Sequence, residues 1–336
     1  MRAAVVQGMN RPLTVETLPD PQPAPHEVVI RVSRCGICGS DLHMTEDPMF
    51  GIQPGDILGH EFAGEVVESG RDVTEMKAGG LVSVIPLQGC GRCDSCLAGE
   101  PAWCSAMRLQ GGGYGEYAVT TARQCVPLPS MTSLADGAIV EPLAVALHGV
   151  RLSGLKPGDR VLVLGAGPIG LAVAFWARRL GAQTVVVQDI NLFQEARALS
   201  MGATGFVCDP EQPINAGVKA LGGLADIVFE CVGLPGVIAQ AVEQVRVQGT
   251  LLLLGLCTKP DTFIPFLALS KEVRLQTSAF FTLPEYRMAL DALNAGAAEP
   301  RHLVTDTIAL DQVPHVFESL RKRTHQCKVL ISHETS

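Results

Sequence analysis

Two short segments near the N-terminus carry side chains that are suited to binding a reactive metal ion. They read Cys-Gly-Ile-Cys-Gly-Ser-Asp-Leu-His at 35–43 and Gly-His-Glu-Phe-Ala-Gly at 59–64. Thiolate, imidazole and carboxylate are ligand types that Zn²⁺ takes, and a catalytic zinc keeps one position open for water or substrate. A Cys-x-x-Cys pair alone fits a redox couple or two buried thiols equally well. We expect Cys35 to pack in the core and Cys38 to be the metal ligand.

A second group of thiols lies in a loop rich in glycine and polar residues. The spacing is Cys90-x₂-Cys93-x₂-Cys96-x₇-Cys104. Four thiolates so placed can close a tetrahedron around zinc, which leaves no open position for chemistry. Such a site contributes on the order of 10 kcal/mol to folding. The sequence therefore predicts a structural zinc here and two zinc ions per chain.

A glycine-rich turn, Gly-Ala-Gly-Pro-Ile-Gly, begins at Gly165 directly after four apolar residues. This pattern predicts a buried parallel strand that opens onto a helix at Pro168 and Ile169. Gly165 would allow the tight turn, Gly167 would let the backbone approach a pyrophosphate, and Gly170 would let the helix pack closely on the strand. Backbone N–H groups at the helix start would then hold a dinucleotide phosphate.

An acidic residue follows the next predicted strand, at 184–187. Asp189 lies 24 residues after Gly165, near the spacing of the acid that accepts ribose hydroxyls in dinucleotide-binding proteins. The alternatives are a glycine-rich turn in another α/β protein and a membrane span over 161–177. A span is disfavoured because those 17 residues include three glycines and a proline. We therefore expect a dinucleotide cofactor.

Composition limits the partners. The 336 residues are 47% hydrophobic and 18% charged, with a formal net charge of −8. Such a chain can hold two domains, and its acidic balance argues against nucleic acid or an anionic membrane as a general partner. The N-terminal residues lack the apolar core of a secretory signal. Four of the 11 cysteines crowd into 15 residues, which favours metal binding in a reducing compartment. We predict a cytoplasmic protein.

A further motif is Glu-Pro-Leu-Ala-Val-Ala-Leu-His at 141–148. Together with the two metal-ligand segments, the four-cysteine loop and the glycine-rich turn, it resembles the pattern of the medium-chain, zinc-dependent alcohol dehydrogenases, in particular the sorbitol, threonine and butanediol dehydrogenase branch. The resemblance implies an α/β fold: a Rossmann-type doubly wound parallel sheet plus a discontinuous, β-rich GroES-like catalytic domain. The expected division is a catalytic domain at 1–149 with a structural-zinc loop at 89–105, an NAD-binding domain at 150–280, and a return to the catalytic domain at 281–336. A homodimer or homotetramer is expected.

By the family pattern, the catalytic zinc is held by Cys38, His60 and Glu61. Glu141 would be a further ligand in some states or a hydrogen-bonding partner at the same site. Ser40 and His43 match the residues that carry the substrate proton away; the alternative is two ordinary polar residues on a loop.

The resemblance also assigns cofactor contacts beyond the glycine-rich turn. Val232 and the run Leu254-Gly255-Leu256 would border the nicotinamide and its ribose, and Lys328 would lie near the phosphates. The alternative is that these positions are ordinary ends of core strands.

The implied reaction is hydride transfer between NAD and a secondary alcohol or vicinal diol, and its product is a ketone. The implied substrate is therefore a small alcohol. Phe280-Phe281 and Met44-Thr45 depart from the sorbitol dehydrogenase pattern, which favours a less polar alcohol. An L-threonine-type amino alcohol is the runner-up substrate. A non-catalytic NAD-binding protein with a structural or regulatory role is the alternative of another class.

Overall fold

The computed structural model of the chain describes residues 1–322 and 325–334. Its strands are β1 (Arg2–Val5), β2 (Thr14–Thr17), β3 (Glu27–Gly36), β4 (Glu61–Ser69), β5 (Leu81–Val84), β6 (Leu87–Gln88), β7 (Arg108–Leu109), β8 (Tyr117–Thr121), β9 (Cys125–Pro127), β10 (Arg160–Leu164), β11 (Thr184–Gln188), β12 (Gly205–Val207), β13 (Ala225–Glu230), β14 (Val245–Leu253), β15 (Arg274–Thr277), β16 (Val304–Ala309) and β17 (Lys328–Ser332). Its α-helices are α1 (Gly39–Met44), α2 (Asp94–Leu97), α3 (Leu134–Leu152), α4 (Pro168–Arg179), α5 (Glu195–Ser200), α6 (Pro213–Leu221), α7 (Val237–Gln244), α8 (Pro265–Leu269), α9 (Leu283–Asn294) and α10 (Val313–Ser319).

The chain forms two compact units, and the first of them is discontinuous in sequence. The first unit contains 1–141, 282–297 and 304–336, and the second contains 142–281 and 298–303. The sequence prediction sets the first boundary at 149, whereas the structure changes unit at Glu141, within α3. Pro142 lies inside this helix, where it removes one backbone hydrogen bond.

The first unit is built on a seven-stranded sheet. Six strands follow the order β16-β17-β3-β4-β5-β9, and β8 also pairs with β3. Apolar residues of β3, including Val28, Ile30 and Val32, are fully buried in the core of this unit. The antiparallel register aligns Gly36 with Glu61, and Gly36 also pairs with Leu330 of β17. The sheet therefore brings together the ends of three strands that are far apart in sequence.

The second unit is a six-stranded parallel sheet in the order β12-β11-β10-β13-β14-β15. Four of the five residues of β10 are buried, as the apolar run predicts for a central parallel strand. The strand order reverses between β10 and β13, the position at which open α/β sheets bind ligands. The prediction of a doubly wound sheet is confirmed.

The described helices include none that is long and apolar enough to cross a membrane. The stretch at 161–177, whose apolar character also suggested a span, is instead divided between β10 and α4. Sequence patterning missed one strand of this sheet, β15, whose residues Arg274 and Thr277 are polar and exposed.

Candidate active site and metal centres

Three predicted ligands of the catalytic zinc come together in the first unit. Donor atoms of Cys38, His60 and Glu61 all lie within 4.8 Å of one another. Cys38 precedes α1, and Glu61 begins β4 immediately after His60. A sulfur, an imidazole nitrogen and a carboxylate oxygen at this separation fit a zinc ion with a position left open.

A buried carboxylate, Asp41, orients the His60 ring. Asp41 Oδ1 lies 3.1 Å from His60 Nδ1, and Oδ2 accepts hydrogen bonds from the Tyr114 hydroxyl at 2.7 Å and from the Cys38 backbone N–H at 3.1 Å. Burial would raise the pKa of Asp41, but His60 and these hydrogen bonds hold it below its usual value. Since Nδ1 is engaged by Asp41, Nε2 is the nitrogen left for a metal.

The third predicted ligand is held by a buried cation. Lys328 Nζ donates to both carboxylate oxygens of Glu61, at 2.7 and 2.6 Å, and to the Ile37 carbonyl at 3.0 Å. Burial would lower the pKa of Lys328, but the Glu61 carboxylate raises it above its usual value. A side chain at Gly36 would overlap this pair, because its Cβ would lie 2.1 Å from Glu61 Oε2.

This ion pair is a contact of Lys328 that the sequence did not predict, and the predicted role of Lys328 near the phosphates stays a prediction. The sequence prediction has the ammonium near the cofactor phosphates. In the structure Lys328 belongs to the first unit, its side chain is 1% exposed, and its ammonium is bonded to Glu61 and to a backbone carbonyl. The register of β17 beside β3 brings the lysine to this carboxylate.

Glu141 is a buried acid in the same unit, although it is not one of the three clustered donors. Burial raises its pKa to about 7, His60 and Lys328 act in the lowering direction, and Glu61 and Asp41 act in the raising direction. A carboxyl group with such a pKa can hold or release a proton near neutral pH.

The two predicted relay residues lie on one short helix. Ser40, in the first turn of α1, directs its hydroxyl to Cys38 Sγ at 3.2 Å, and His43 lies in the last turn, where it is half-buried. A hydroxyl and an imidazole on the helix that begins beside a metal ligand can pass a proton from a substrate toward solvent.

Arg321 holds the C-terminal end of this helix. Its guanidinium donates to the Leu42 carbonyl at 3.3 Å, to the Thr45 hydroxyl at 2.9 Å and to Glu46 at 2.6 Å. Thr45 belongs to the pair Met44-Thr45, whose departure from the sorbitol dehydrogenase pattern favours a less polar alcohol, and it is fully buried. Its hydroxyl donates to the Leu42 carbonyl at 2.9 Å, so this residue supports the helix end.

The four-cysteine loop forms the second metal-ligand cluster. Sulfur atoms of its members lie within 4.8 Å of one another: Cys90, Cys93, Cys96 and Cys104. Hydrogen bonds from backbone N–H groups lower the pKa of Cys90 to about 6, whereas burial raises that of Cys96 to about 11. Four sulfurs at this separation fit a closed tetrahedral zinc site.

In the second unit the glycine-rich turn has the geometry that its sequence predicts. Gly165 has a φ of +95°, and Gly167 precedes α4, which begins at Pro168 and Ile169. A Cβ on Gly170 would lie 2.0 Å from the Gly165 carbonyl oxygen, so only glycine allows the helix to start this close to the turn.

Asp189 is fastened to that turn. Its Oδ2 accepts from the Ala166 N–H at 2.8 Å, and its Oδ1 accepts from its neighbour Ile190 at 2.7 Å. Although no basic residue lies within 190–194, the guanidinium of Arg197 reaches the side-chain oxygen of Gln194. A cation from outside 190–194 therefore reaches this loop.

Two predicted nicotinamide segments are joined by a residue that sequence reasoning missed. The Glu230 carboxylate accepts from the N–H groups of Val232 and Gly233 at 2.7 and 2.8 Å. Its backbone carbonyl accepts from Leu254 and Gly255 at 2.8 and 2.9 Å. Leu256, at the end of the second segment, is 41% exposed. Glu230 thus fixes both segments at the end of β13, beside the reversal in strand order.

Asp41 carries a signal that could have been used, because it stands between Cys38 and His43 in the first motif and a carboxylate commonly supports a metal-binding histidine. Tyr114 carries no such signal, since it lies 73 residues from Asp41 in sequence.

Comparison with known proteins gives two family matches. Residues 24–130 match the family described as alcohol dehydrogenase GroES-like domain, and residues 168–295 match the family described as zinc-binding dehydrogenase. The chain is 31% identical to the sorbitol dehydrogenase of Bacillus subtilis over 98% of this chain and 97% of the relative.

Two solved structures are similar over nearly their whole length. A protein of Sinorhizobium meliloti 1021 described as a zinc-binding dehydrogenase and bound to NADP is 33% identical, with a TM-score of 0.90 over 98% of both chains. The 2R,3R-butanediol dehydrogenase of Bacillus subtilis is 29% identical, with a TM-score of 0.88 over 99% of both chains.

Proposed function

Because the chain belongs to the zinc-binding alcohol dehydrogenase family, we propose that it oxidises a secondary alcohol or vicinal diol to the ketone, or catalyses the reverse reduction, with NAD. The observation that carries this proposal is the cluster of Cys38, His60 and Glu61 at the start of the helix that bears Ser40 and His43. Retention of both the ligands and the relay residues argues against a non-catalytic NAD-binding protein.

The chain's own residues have separable tasks in this reaction. Cys38, His60 and Glu61 hold the metal, and Ser40 and His43 carry the hydroxyl proton away from the substrate. When bound, zinc supplies Lewis-acid polarisation of the reacting oxygen, and NAD accepts or donates the hydride. Glu141 is proposed as a further proton-holding group at the metal centre, because it is a buried acid whose charge interacts with those of His60, Glu61 and Asp41.

We propose a small diol or secondary alcohol as the substrate class, in preference to an amino alcohol. Similarity to a sorbitol dehydrogenase and a butanediol dehydrogenase supports this choice. The test is a panel of vicinal diols, simple secondary alcohols, sugar polyols and L-threonine, read by nicotinamide absorbance, with Cys38→Ala as the inactive control. Turnover of L-threonine alone would replace the proposal, and no turnover of any member by zinc-loaded protein would contradict it.

We propose that NAD is preferred over NADP. Asp189 would accept the ribose hydroxyls and repel a 2′-phosphate. The nearby Arg197 is bonded to Gln194 and to the His302 carbonyl at 2.8 Å, which directs the cation away from this role. Comparing kcat/KM for the two cofactors tests the preference, and Arg197→Ala tests whether this cation assists NADP. An equal or higher value with NADP would contradict the proposal.

We propose a homodimer or homotetramer with two zinc ions per chain in a reducing compartment such as the cytoplasm. Assembly is supported by the outer strand β15, where Leu275 is exposed, and by the exposed apolar side chains of Phe266 and Leu269 on α8. The ligand clusters support the zinc count and need reduced thiols. Light scattering of Leu275→Lys, with Leu199→Lys as an exposed control outside this surface, tests the assembly, and elemental analysis tests the zinc count.

A further inference from the structure

We infer that Tyr114 is a positioning residue of the catalytic metal centre, acting through Asp41 on the orientation of the His60 ring. The inference rests on the proposed function, because it requires a metal ion bound by His60. Tyr114 itself is not a ligand. Its hydroxyl donates to Asp41 Oδ2 at 2.7 Å, while Asp41 Oδ1 lies 3.1 Å from His60 Nδ1.

The tyrosine ring lies against the residue that precedes the metal ligand. Gly59 has a φ of +89°, and a Cβ there would lie 2.4 Å from Tyr114 Cδ1. The Tyr114 backbone N–H donates to the Leu58 carbonyl at 3.0 Å, and its ring packs edge-on against Phe317 with centroids 6.3 Å apart. The backbone and ring of Tyr114 are therefore fixed relative to the segment that leads into His60.

The hydroxyl has a polar partner within apolar surroundings. Tyr114 is 0% exposed and belongs to the apolar core of the first unit. Burying a phenol hydroxyl costs free energy unless it is hydrogen-bonded, and a bond to an ionised carboxylate is stronger than one between neutral groups. Phenylalanine would fill nearly the same volume, so packing alone does not require the hydroxyl at this position.

Three donors surround Asp41 and limit its rotation. The Cys38 N–H and the Tyr114 hydroxyl share Oδ2, which leaves Oδ1 directed at His60. If the tyrosine hydroxyl is removed, Oδ2 loses its shortest hydrogen bond and the carboxylate can turn. The imidazole then loses its fixed orientation, so its other nitrogen is presented to the metal less often in the binding geometry.

The test measures the metal directly, without turnover. Zinc-loaded Tyr114→Phe is mixed with a chelating dye, and the release of each zinc ion is followed over time. We expect the zinc of the catalytic centre to leave about tenfold faster than in the unaltered protein, at the lower end of effects seen for groups that support metal ligands. The structural zinc should leave at an unchanged rate. Cys38→Ser identifies which release phase belongs to which centre.

Two further variants separate positioning from packing. Tyr117→Phe, a half-buried tyrosine of β8, is the matched control and should leave both release rates unchanged. In an Asp41→Asn background, Tyr114→Phe should accelerate release by less than about twofold, because its route to His60 is already broken. The d–d absorption of cobalt-substituted protein should change with Tyr114→Phe and remain unchanged with Tyr117→Phe.

Three results would overturn the inference. Tyr114→Phe could release its catalytic zinc at the normal rate, it could lower the melting temperature while both the release rates and the cobalt spectrum stay unchanged, or its full effect could persist in the Asp41→Asn background. If the unaltered protein bound no zinc through Cys38 and His60, the proposed function would fail together with the inference. The other results leave the proposed function standing.

Discussion

The two metal-ligand clusters of the first unit differ in what holds them in place. The cluster of Cys38, His60 and Glu61 is built on a helix and a central strand, and Asp41 and Lys328 support it from within the core. The four-cysteine cluster is surrounded by short elements, β6, β7 and the one-turn α2. We therefore expect the fold to organise the first cluster, and the second cluster to depend on a bound metal for its stability.

Loss of a cysteine from the loop should have the largest effect on stability. Cys93→Ala removes one of four sulfur ligands, and a structural zinc contributes on the order of 10 kcal/mol. We expect the free energy of unfolding to fall by several kcal/mol, with turnover lost only as the protein unfolds. Denaturant unfolding measures this, and Cys257→Ser, an exposed cysteine outside both clusters, is the control. A stable Cys93→Ala protein without turnover would reverse the roles assigned to the two clusters.

Loss of a ligand from the core-built cluster should instead affect chemistry. Cys38→Ala should lower turnover about a thousandfold or more, because metal polarisation contributes several kcal/mol to stabilising the transition state. NADH binding, followed by cofactor fluorescence, should change little because the dinucleotide motif lies in the other unit. A loss of NADH affinity as large as the loss of turnover would contradict this separation. Ser200→Ala, a solvent-exposed residue of α5, is the control.

The same contrast explains which features the sequence could predict. The four-cysteine loop and the turn at Gly165 depend on residues close together in the chain, so their spacing carries the geometry. The two-unit fold and the doubly wound parallel sheet were implied by the resemblance, which rests on motifs spread along the chain. Glu61 and Lys328 lie 267 residues apart in sequence, and their pairing depends on strand order and register. No local pattern fixes that register, so the sequence did not predict this pair.

Breaking the Glu61–Lys328 pair tests how much this buried ion pair stabilises the cluster of Cys38, His60 and Glu61. Lys328→Met leaves a buried carboxylate without its cation, a change that typically costs 3–5 kcal/mol. We expect about 3 kcal/mol in protein stripped of metal, and less in zinc-loaded protein because the metal ion can take the carboxylate's charge. Urea unfolding of both forms measures the difference. The exposed Lys77→Met is the control, and an equal loss in both forms would mean that Glu61 does not face the metal.

The smallest effect concerns Glu141 and depends on pH. Burial raises its pKa from 4.5 to about 7, so between these values the folded state binds more protons than the unfolded state. The free energy of unfolding therefore falls as the pH rises through this window. The penalty for burying the ionised carboxylate is complete above about pH 7. Glu141→Gln removes the penalty. Relative to the unaltered protein, metal-free Glu141→Gln should gain stability from pH 4.5 to 7, by about 2 kcal/mol and at most about 3.

Zinc should reduce this pH dependence, because a nearby cation favours the charged carboxylate. The measurement is the midpoint of chemical unfolding across pH for Glu141→Gln and for Glu75→Gln, an exposed carboxylate in the same unit. Glu75→Gln should show no comparable trend. If metal-free Glu141→Gln lost stability with rising pH, a cation would be holding Glu141 ionised in the fold. If zinc left the trend of Glu141→Gln unchanged, Glu141 would lie too far from the metal to hold a proton for the reaction.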